Sequence, residues 1–231
     1  MKIFQLQNGY HYNSDTMALY GFISSFWNKK YKNVLDVGSG SGVLGMLIKR
    51  DNPEISLSMI DIQDENVALC NKNLSENDLN AKVILTDFKM YKSDIRYDLI
   101  ISNPPFYHDG VTKSDNKHIA ISRYDKYLTL DDFIRVSNTH LNPNAELMFC
   151  YDSMQLSEIF ISLNRYKLNP THIRFVHASK DKNARLVLVR AKKNSRSKCE
   201  ILPVLFMKEN RLNSQEATKI YIMADLQSEL C

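Results

Sequence analysis

The run Asp36-Val37-Gly38-Ser39-Gly40-Ser41-Gly42 constrains this chain more than any other stretch. It follows the short apolar segment 33–37, which reads as a strand, and leads into 43–49, which reads as a helix. Three alternating glycines at a strand-to-helix turn let the backbone enter left-handed conformations and let a ligand approach it closely. The dinucleotide fingerprint GxGxxG would place its third glycine at 43, where this chain has Val43. An acid at Asp36, just before the turn, would repel a pyrophosphate but suits a ligand carrying positive charge.

The same strand-then-helix alternation continues along the chain. Strands are expected at 56–61, 83–87, 97–102 and 145–151, with helices at 64–76, 129–141 and 153–164. Two further strands, 171–177 and 184–191, are joined by the short segment 179–183, too short for a crossover helix, so they form an antiparallel hairpin on one edge. A basic turn at 192–198, a short strand near 200–206 and a helix near 215–226 follow. Before the first strand, Asn8-Gly9 suggests a small hairpin within 3–13, and Ser14-Asp15 a cap for a helix over 16–27 with Leu19, Phe22, Ile23 and Phe26 on its apolar face. Met17, Met46 and Met59 read as core packing, and Trp27 as the packing group of its helix end. The fold class is therefore α/β: a Rossmann-like, seven-stranded, mostly parallel sheet with an antiparallel edge hairpin and helices on both faces. One domain covers 1–231, divided into a hairpin and helix (1–30), the sheet core (31–192) and a C-terminal extension (193–231).

Ligands of such sheets sit beyond the C-terminal strand ends. Asp36, Gly38, Asp61, Asp87 and Asn103 all fall there. Asp61 follows Gly42 by nineteen residues, close to the spacing of a ribose-binding acid. Asp87 is placed to accept from an adenine amino group, or to cap the turn that follows.

Asn103-Pro104-Pro105-Phe106 ends the fourth strand. An exocyclic amine conjugated to a ring is a poor nucleophile, because its lone pair is delocalised. Two acceptors aimed at its hydrogens favour the pyramidal form, and the Asn103 side-chain oxygen and the Pro104 carbonyl supply such a pair. Phe106 offers a face for a base to stack on. The residue types do not distinguish adenine N6, guanine N2 or a glutamine amide. A polar loop from Tyr107 to Tyr127 follows and carries Lys113, Lys117, His118, Arg123 and Lys126, a candidate lid. His108 within it reads as a solvated loop histidine.

Composition narrows the partners. The net charge of +4 is uneven: residues 1–150 hold 16 Lys+Arg against 18 Asp+Glu, and residues 151–231 hold 14 against 8. Eleven basic residues between Arg165 and Lys198 could track phosphates, or form a solvated surface. No apolar run is long enough to span a bilayer, and the N-terminus has no signal-peptide pattern. Cys70, Cys150, Cys199 and Cys231 form no CxxC pair, which disfavours a metal site and fits a reducing, cytoplasmic setting.

Over residues 33–192 the chain resembles the class I S-adenosylmethionine-dependent methyltransferases, on the glycine run, Asp61, Asp87 and Asn103-Pro104-Pro105-Phe106. The resemblance implies S-adenosylmethionine as cofactor, with Asp36, Gly38, Gly40, Gly42, Asp61, Asp87 and Asn103 around it. Asn103-Pro104-Pro105-Phe106-Tyr107, Gly110-Val111, Ser122-Arg123-Tyr124 and Asn13-Ser14-Asp15-Thr16 further resemble the bacterial tRNA1(Val) adenine-37 N6-methyltransferase family. That family has a Gly-Thr-Asp-type segment where this chain has Asn13-Ser14-Asp15, and many members have Tyr at the position of Phe106. The resemblance implies tRNA as partner, Asn103, Pro104 and Phe106 in catalysis, and Pro105, Tyr107 and Arg123 against the substrate. Guanine-N2 methylation of rRNA, glutamine methylation of release factors and a non-catalytic RNA-binding scaffold are the competing readings. Release-factor enzymes usually carry a helical domain ahead of the sheet, and about thirty residues precede the first strand here.

Overall fold

The computed structural model describes residues 1–106 and 117–231, the side chains of Lys117 and Arg123 excepted. Tyr107, His108, Gly110, Val111 and Lys113, and the contacts expected of Arg123, lie outside the described residues.

The parallel core is built from β2 (Asn33–Val37), β3 (Ser56–Asp61), β4 (Lys82–Leu85), β5 (Tyr97–Ser102) and β6 (Leu141–Asp152), joined in the order β4-β3-β2-β5-β6. Strands buried on both faces read as continuous apolar runs. Val34, Leu35, Leu99, Ile100, Leu147 and Met148 are indeed fully buried, each contributing about 1.5–3 kcal/mol of hydrophobic burial. Met17, Met46 and Met59 join this core as expected. Trp27 packs edge-on against Tyr31 at 5.2 Å.

The antiparallel pair exists but is not the edge. β8 (Ala184–Lys193) lies between β6 and β7 (Leu168–Ser179), antiparallel to both. The far side of β7 is covered by β9 (Glu200–Ile201) and β10 (Leu205–Glu209), both parallel to it, and β11 (Leu212–Asn213) extends the sheet to ten strands. The seven expected strands form a contiguous set, and the segment after 193 lengthens the same sheet. Long paired strands with an open edge favour such addition.

Helices α1 (Ser14–Ser25), α2 (Val43–Asp51) and α7 (Gln215–Ala224) pack with one another, and α1 lies on β6 and β8. α3 (Asp64–Glu76) packs on β3, β4 and the N-terminal strand, while α5 (Leu130–His140) packs on α6 (Leu156–Arg165). A short α4 (Lys117–Arg123) stands over the C-terminal strand ends.

The expected N-terminal hairpin is absent. β1 (Lys2–Gln5) pairs in parallel with β12 (Gln227–Leu230), so Asn8-Gly9 turns the chain without returning a strand. Two asparagines, one in α3 and one capping its C-terminus, hold β1 in place: Asn73 Oδ1 accepts from Phe4 N–H and Asn77 Oδ1 from Lys2 N–H, each at 2.8 Å. These bonds satisfy the strand edge that a hairpin would have paired. The α1 cap also moves by one residue: Asn13 caps the helix, accepting from Asp15 N–H at 2.9 Å.

At the opposite, N-terminal end of the sheet, Glu146 is buried against the Arg190 guanidinium in a two-pronged pair at 2.7 and 2.8 Å. Tyr31 donates to the same carboxylate at 2.6 Å. Arg190 also lies over the Phe26 ring. This cluster ties β6 and β8 to the segment after α1, far along the strands from their ligand-facing ends.

Candidate active site

Between β2 and α2 the three glycines take positive φ values of 67°, 56° and 83° at Gly38, Gly40 and Gly42. Their surroundings differ. A side-chain carbon added at Gly38 or Gly40 would meet no atom within 4 Å, because both face an open cleft. At Gly42 it would lie 2.8 Å from the Met46 methyl and 3.0 Å from the Cys70 sulfur. Gly42, grouped with the others by spacing, is a packing residue turned toward the core. Gly38 and Ser39 N–H groups both donate to the Ile60 carbonyl, at 2.9 and 3.0 Å. From α3, the Cys70 thiol donates to the Gly40 carbonyl at 3.1 Å and the Asn73 amide to the Ser41 carbonyl at 2.9 Å. The turn is thus a rigid backbone cradle clamped by β3 and α3. Cys70 and Asn73 escape a reading of the sequence because no local motif marks a residue thirty positions away.

Asp36 lies beneath the cradle, 1% exposed, and its Oδ2 accepts from Gly45 N–H at 3.0 Å. It caps α2 from the preceding strand, since the residue at the cap position, Gly42, has no side chain to do so. The expectation that a cationic ligand reaches it is corrected in part: it borders the cleft, but its charge acts from below the surface. Burial pushes its carboxyl up to about 7; the Gly45 N–H opposes this and the nearby Asp61 charge adds to it. Gly45 is itself required here, because an added side-chain carbon would sit 2.9 Å from Asp36 Oδ2.

Asp61, at the end of β3, accepts from Gly40 N–H at 2.8 Å, Gln63 N–H at 2.9 Å and the Asn66 amide at 3.1 Å. Burial raises its carboxyl pKa, against the pull of these three donors. Each carboxylate oxygen has two acceptor sites, so the group retains capacity toward the cleft. Asp87 borders the same cleft with Thr86 and Phe88. Its Oδ1 is already engaged, accepting from Lys89 N–H at 2.9 Å to cap the one-turn helix Phe88–Met90, and its Oδ2 lies 3.4 Å from Lys89 Nζ.

The cleft holds about 940 Å³ of space, its open mouth included. Its other wall comes from Tyr10, Tyr12 and Thr16 of the N-terminal segment, and Ile121, Ser122, Tyr127 and Leu128 from α4 and beyond. A polar chain holds α4 down. Tyr10 N–H donates to His118 Nδ1 at 3.3 Å, which leaves Nε2 to donate to Asn66 Oδ1 at 3.0 Å. Gln63 Nε2 donates to Ser122 Oγ at 3.0 Å. His118, expected to face a polyanion, is turned inward instead.

Asn103 follows β5 and borders both this cleft and a smaller one of about 340 Å³. The smaller cleft is lined by Tyr10, Asn13, Asp15, Pro104, Pro105, Phe106 and Ser122 as well. Asn103 Nδ2 donates to Thr16 Oγ1 at 3.2 Å, and its Oδ1 accepts from the Cys150 thiol at 3.0 Å. Phe106 is only 7% exposed and its ring packs on Tyr151 at 5.7 Å. A fully open stacking face at Phe106 is therefore not what the structure provides; the ring forms a wall of the smaller cleft. Asp15 is half-buried beside Asn103, and burial raises its carboxyl pKa while the Arg185 charge opposes this.

The basic segment is less available than its composition implies. Arg165 pairs with Asp131, Arg174 with Glu216 through two hydrogen bonds, and Arg190 with Glu146. Lys193 donates to the Asn138 and Leu141 carbonyls. Arg165 thus ties α6 to α5, Arg174 ties β7 to α7, Arg190 ties β8 to β6, and Lys193 ties β8 to the end of α5. Among the described residues no helix is long and apolar enough to cross a membrane.

A sulfonium nucleoside carries a charged amino-acid arm, a ribose diol and a flat base. The bare cradle at Gly38 and Gly40, the acid at Asp61 and the exposed apolar surface of Ile62 beside it offer groups of those three kinds on one cleft. The chain is 38% identical over 127 residues to the ribosomal RNA small subunit methyltransferase C of Haemophilus influenzae (strain PittGG), covering 54% of this chain and 34% of that one. For the protein of the same name from Pasteurella multocida the identity is 40% over 114 residues, covering 49% and 30%. The chain thus spans about a third of the length of the curated relatives it matches. In fold it is similar to a predicted O-methyltransferase from Agrobacterium tumefaciens, with a TM-score of 0.72 at 16% identity over 93% of this chain and 99% of that one. It is also similar to a T. Thermophilus 16S rRNA N2 methyltransferase solved with AdoMet and guanosine, with a TM-score of 0.57 at 16% identity over 82% and 45%. The family model described as "Methyltransferase small domain" matches residues 17–167. The chain belongs to that family, and its fold is that of the S-adenosylmethionine-dependent methyltransferases it resembles.

Proposed function

We propose that this enzyme methylates the exocyclic amine of a base in RNA, and that the base is an adenine of tRNA, modified at N6. The observation that carries the reading is the place of Asn103: it borders the cofactor cleft and the smaller cleft at once, at the end of β5. A nitrogen held between them meets the methyl group and the acceptors together. Gly38 and Gly40 hold the amino-acid arm of the cofactor, Asp61 its ribose hydroxyls, and Ile62, Phe88 and Asp87 its adenine. When bound, S-adenosylmethionine supplies an electrophilic methyl group. Asn103 Oδ1 and the Pro104 carbonyl accept the two amine hydrogens, which favours the pyramidal nitrogen as charge develops on it. Pro105 and Phe106 border the incoming base. The target leaves its stack to reach this depth, which costs least in a loop such as the one around tRNA position 37.

A second reading, guanine N2 in small-subunit rRNA, is favoured by the names of the curated relatives, which give small-subunit rRNA, and by the T. Thermophilus N2 methyltransferase solved with guanosine. Guanine presents the same planar amine, and the acceptor pair serves it equally. The deciding experiment is methyl transfer from labelled cofactor to unmodified tRNA, to unmodified small-subunit rRNA and to a peptide-chain release factor, with mass spectrometry of the products. N6-methyladenosine in tRNA supports the first reading, N2-methylguanosine the second, and methylglutamine or no product removes both. Association with RNA is expected to weaken steeply between low and moderate salt.

A further inference from the structure

The Asn103 side chain is a planar amide whose two ends differ in chemistry but hardly in shape. Turned over, it would present N–H groups to a substrate amine where acceptance is needed. The fold contains a device that decides between the two orientations. Thr16, in the first turn of α1, accepts from Asn103 Nδ2 at 3.2 Å; Cys150, on β6, donates to Asn103 Oδ1 at 3.0 Å. A hydroxyl can donate or accept, so Thr16 alone would tolerate either orientation. Cys150 is fully buried, and desolvation together with the Asp15 charge raises its pKa well above the usual value, so it stays a protonated donor. An S–H donor facing the amide selects the oxygen. One lone pair of Oδ1 is then occupied and the other is left for the substrate.

We propose that Thr16 and Cys150 are positioning residues that together lock the orientation of the Asn103 amide and so set the rate of methyl transfer. The inference rests on the role given to Asn103 above. Thr16 ends the stretch Asn13-Ser14-Asp15-Thr16, which gave it no role, and Cys150 lies in no motif; they lie 87 residues before Asn103 and 47 after it. Both residues are buried, Thr16 at the edge of the cleft it helps to wall.

The test uses the full chain, labelled S-adenosylmethionine and a mixture of unmodified tRNA and rRNA. Thr16→Val and Cys150→Ala are each expected to lower kcat roughly 10- to 100-fold, the scale of a misplaced catalytic group, with cofactor Kd unchanged. Thr16→Ser, which keeps the hydroxyl, is expected to recover most of the loss. Combined with Asn103→Ala, Thr16→Val is expected to cause no further loss, because its effect passes through that amide. Side-chain amide hydrogen exchange at Asn103, assigned by the signals lost in Asn103→Ala, is expected to accelerate in Thr16→Val and Cys150→Ala. That readout needs no RNA. Full activity and unchanged exchange in Thr16→Val and Cys150→Ala overturn the proposal, as does a loss that Thr16→Ser shares or that follows a fall in Tm. If Asn103→Ala itself keeps full turnover, the role of Asn103 fails, and this inference with it. If Asn103→Ala is inactive while the other variants are not, only this inference fails.

Discussion

The two halves of the active-site cleft are built by different means. The cofactor half is made of backbone: a glycine cradle at Gly38 and Gly40, carbonyls clamped by Cys70 and Asn73, and two buried carboxylates that accept backbone N–H groups. The acceptor half is made of side chains drawn from α1, β5, β6 and α4, meeting around Asn103. The first half is local and tolerates little change in backbone. The second is assembled from distant parts and depends on the orientation of one amide. Cofactor affinity and methyl-transfer rate should therefore separate under mutation.

The sharpest break between the halves is Asn103→Ala, expected to lower kcat by about 10²- to 10³-fold, as for removal of one preorganised electrostatic group. Cofactor Kd, measured by calorimetry, is expected to stay within a few-fold; a collapse of Kd would make Asn103 a cofactor residue. Asp61→Ala is the converse. It removes a charged acceptor worth about 1.5–3 kcal/mol, so cofactor Kd should rise roughly 10- to 100-fold while kcat at saturating cofactor is retained. Unchanged affinity would sink the ribose role.

Gly45→Ala strikes beneath the cradle, where the new methyl would sit 2.9 Å from Asp36 Oδ2. It is expected to cost about 1–3 kcal/mol of stability by overpacking, read as a lower urea midpoint, and to weaken cofactor binding with it. The smallest effect is a slope. The Asp36 carboxyl is raised from 3.8 to about 7 in the folded state. Between those values the native chain holds a proton that the unfolded chain has released. This stabilisation is complete below the unfolded value and is lost as pH rises through about 7, by ~1.4 kcal/mol per pH unit at most. Asp36→Asn is expected to flatten that part of the stability curve in urea titrations at pH 5, 6 and 7.5. An unchanged slope would assign it to Asp61 or Asp15, which shift in the same direction.

The same contrast explains how much could be read from the residues alone. The parallel core and its ligand-facing acids were legible because each depends on a short run: apolar segment, acid, glycine turn, helix. Asp87 shows the limit, since an acid after a strand reads equally as a ligand or as the cap it forms on Lys89 N–H. Gly42 and Gly40 look alike in sequence and differ only in which side of the turn meets Met46 and Cys70. Cys150 and Tyr10 were not legible, because each becomes significant only when the fold brings it to a partner far along the chain; Thr16 and Ser122 fell in stretches of family resemblance that gave neither a role. The Asn8-Gly9 hairpin failed for the same reason: the partner of β1 lies more than two hundred residues away, in β12.

That last pairing has a consequence for how the enzyme comes into being. Translation proceeds from the N-terminus, so the sheet core can assemble while the ribosome is still adding residues. β1 cannot find its strand partner until Gln227–Leu230 have been made. The Tyr12 hydroxyl, 2.6 Å from Ser228 Oγ, waits for the same event. The wall formed by Tyr10 and Tyr12 is therefore among the last parts of the cleft to settle, and a nascent chain that already holds the glycine cradle still lacks a finished site for its substrate.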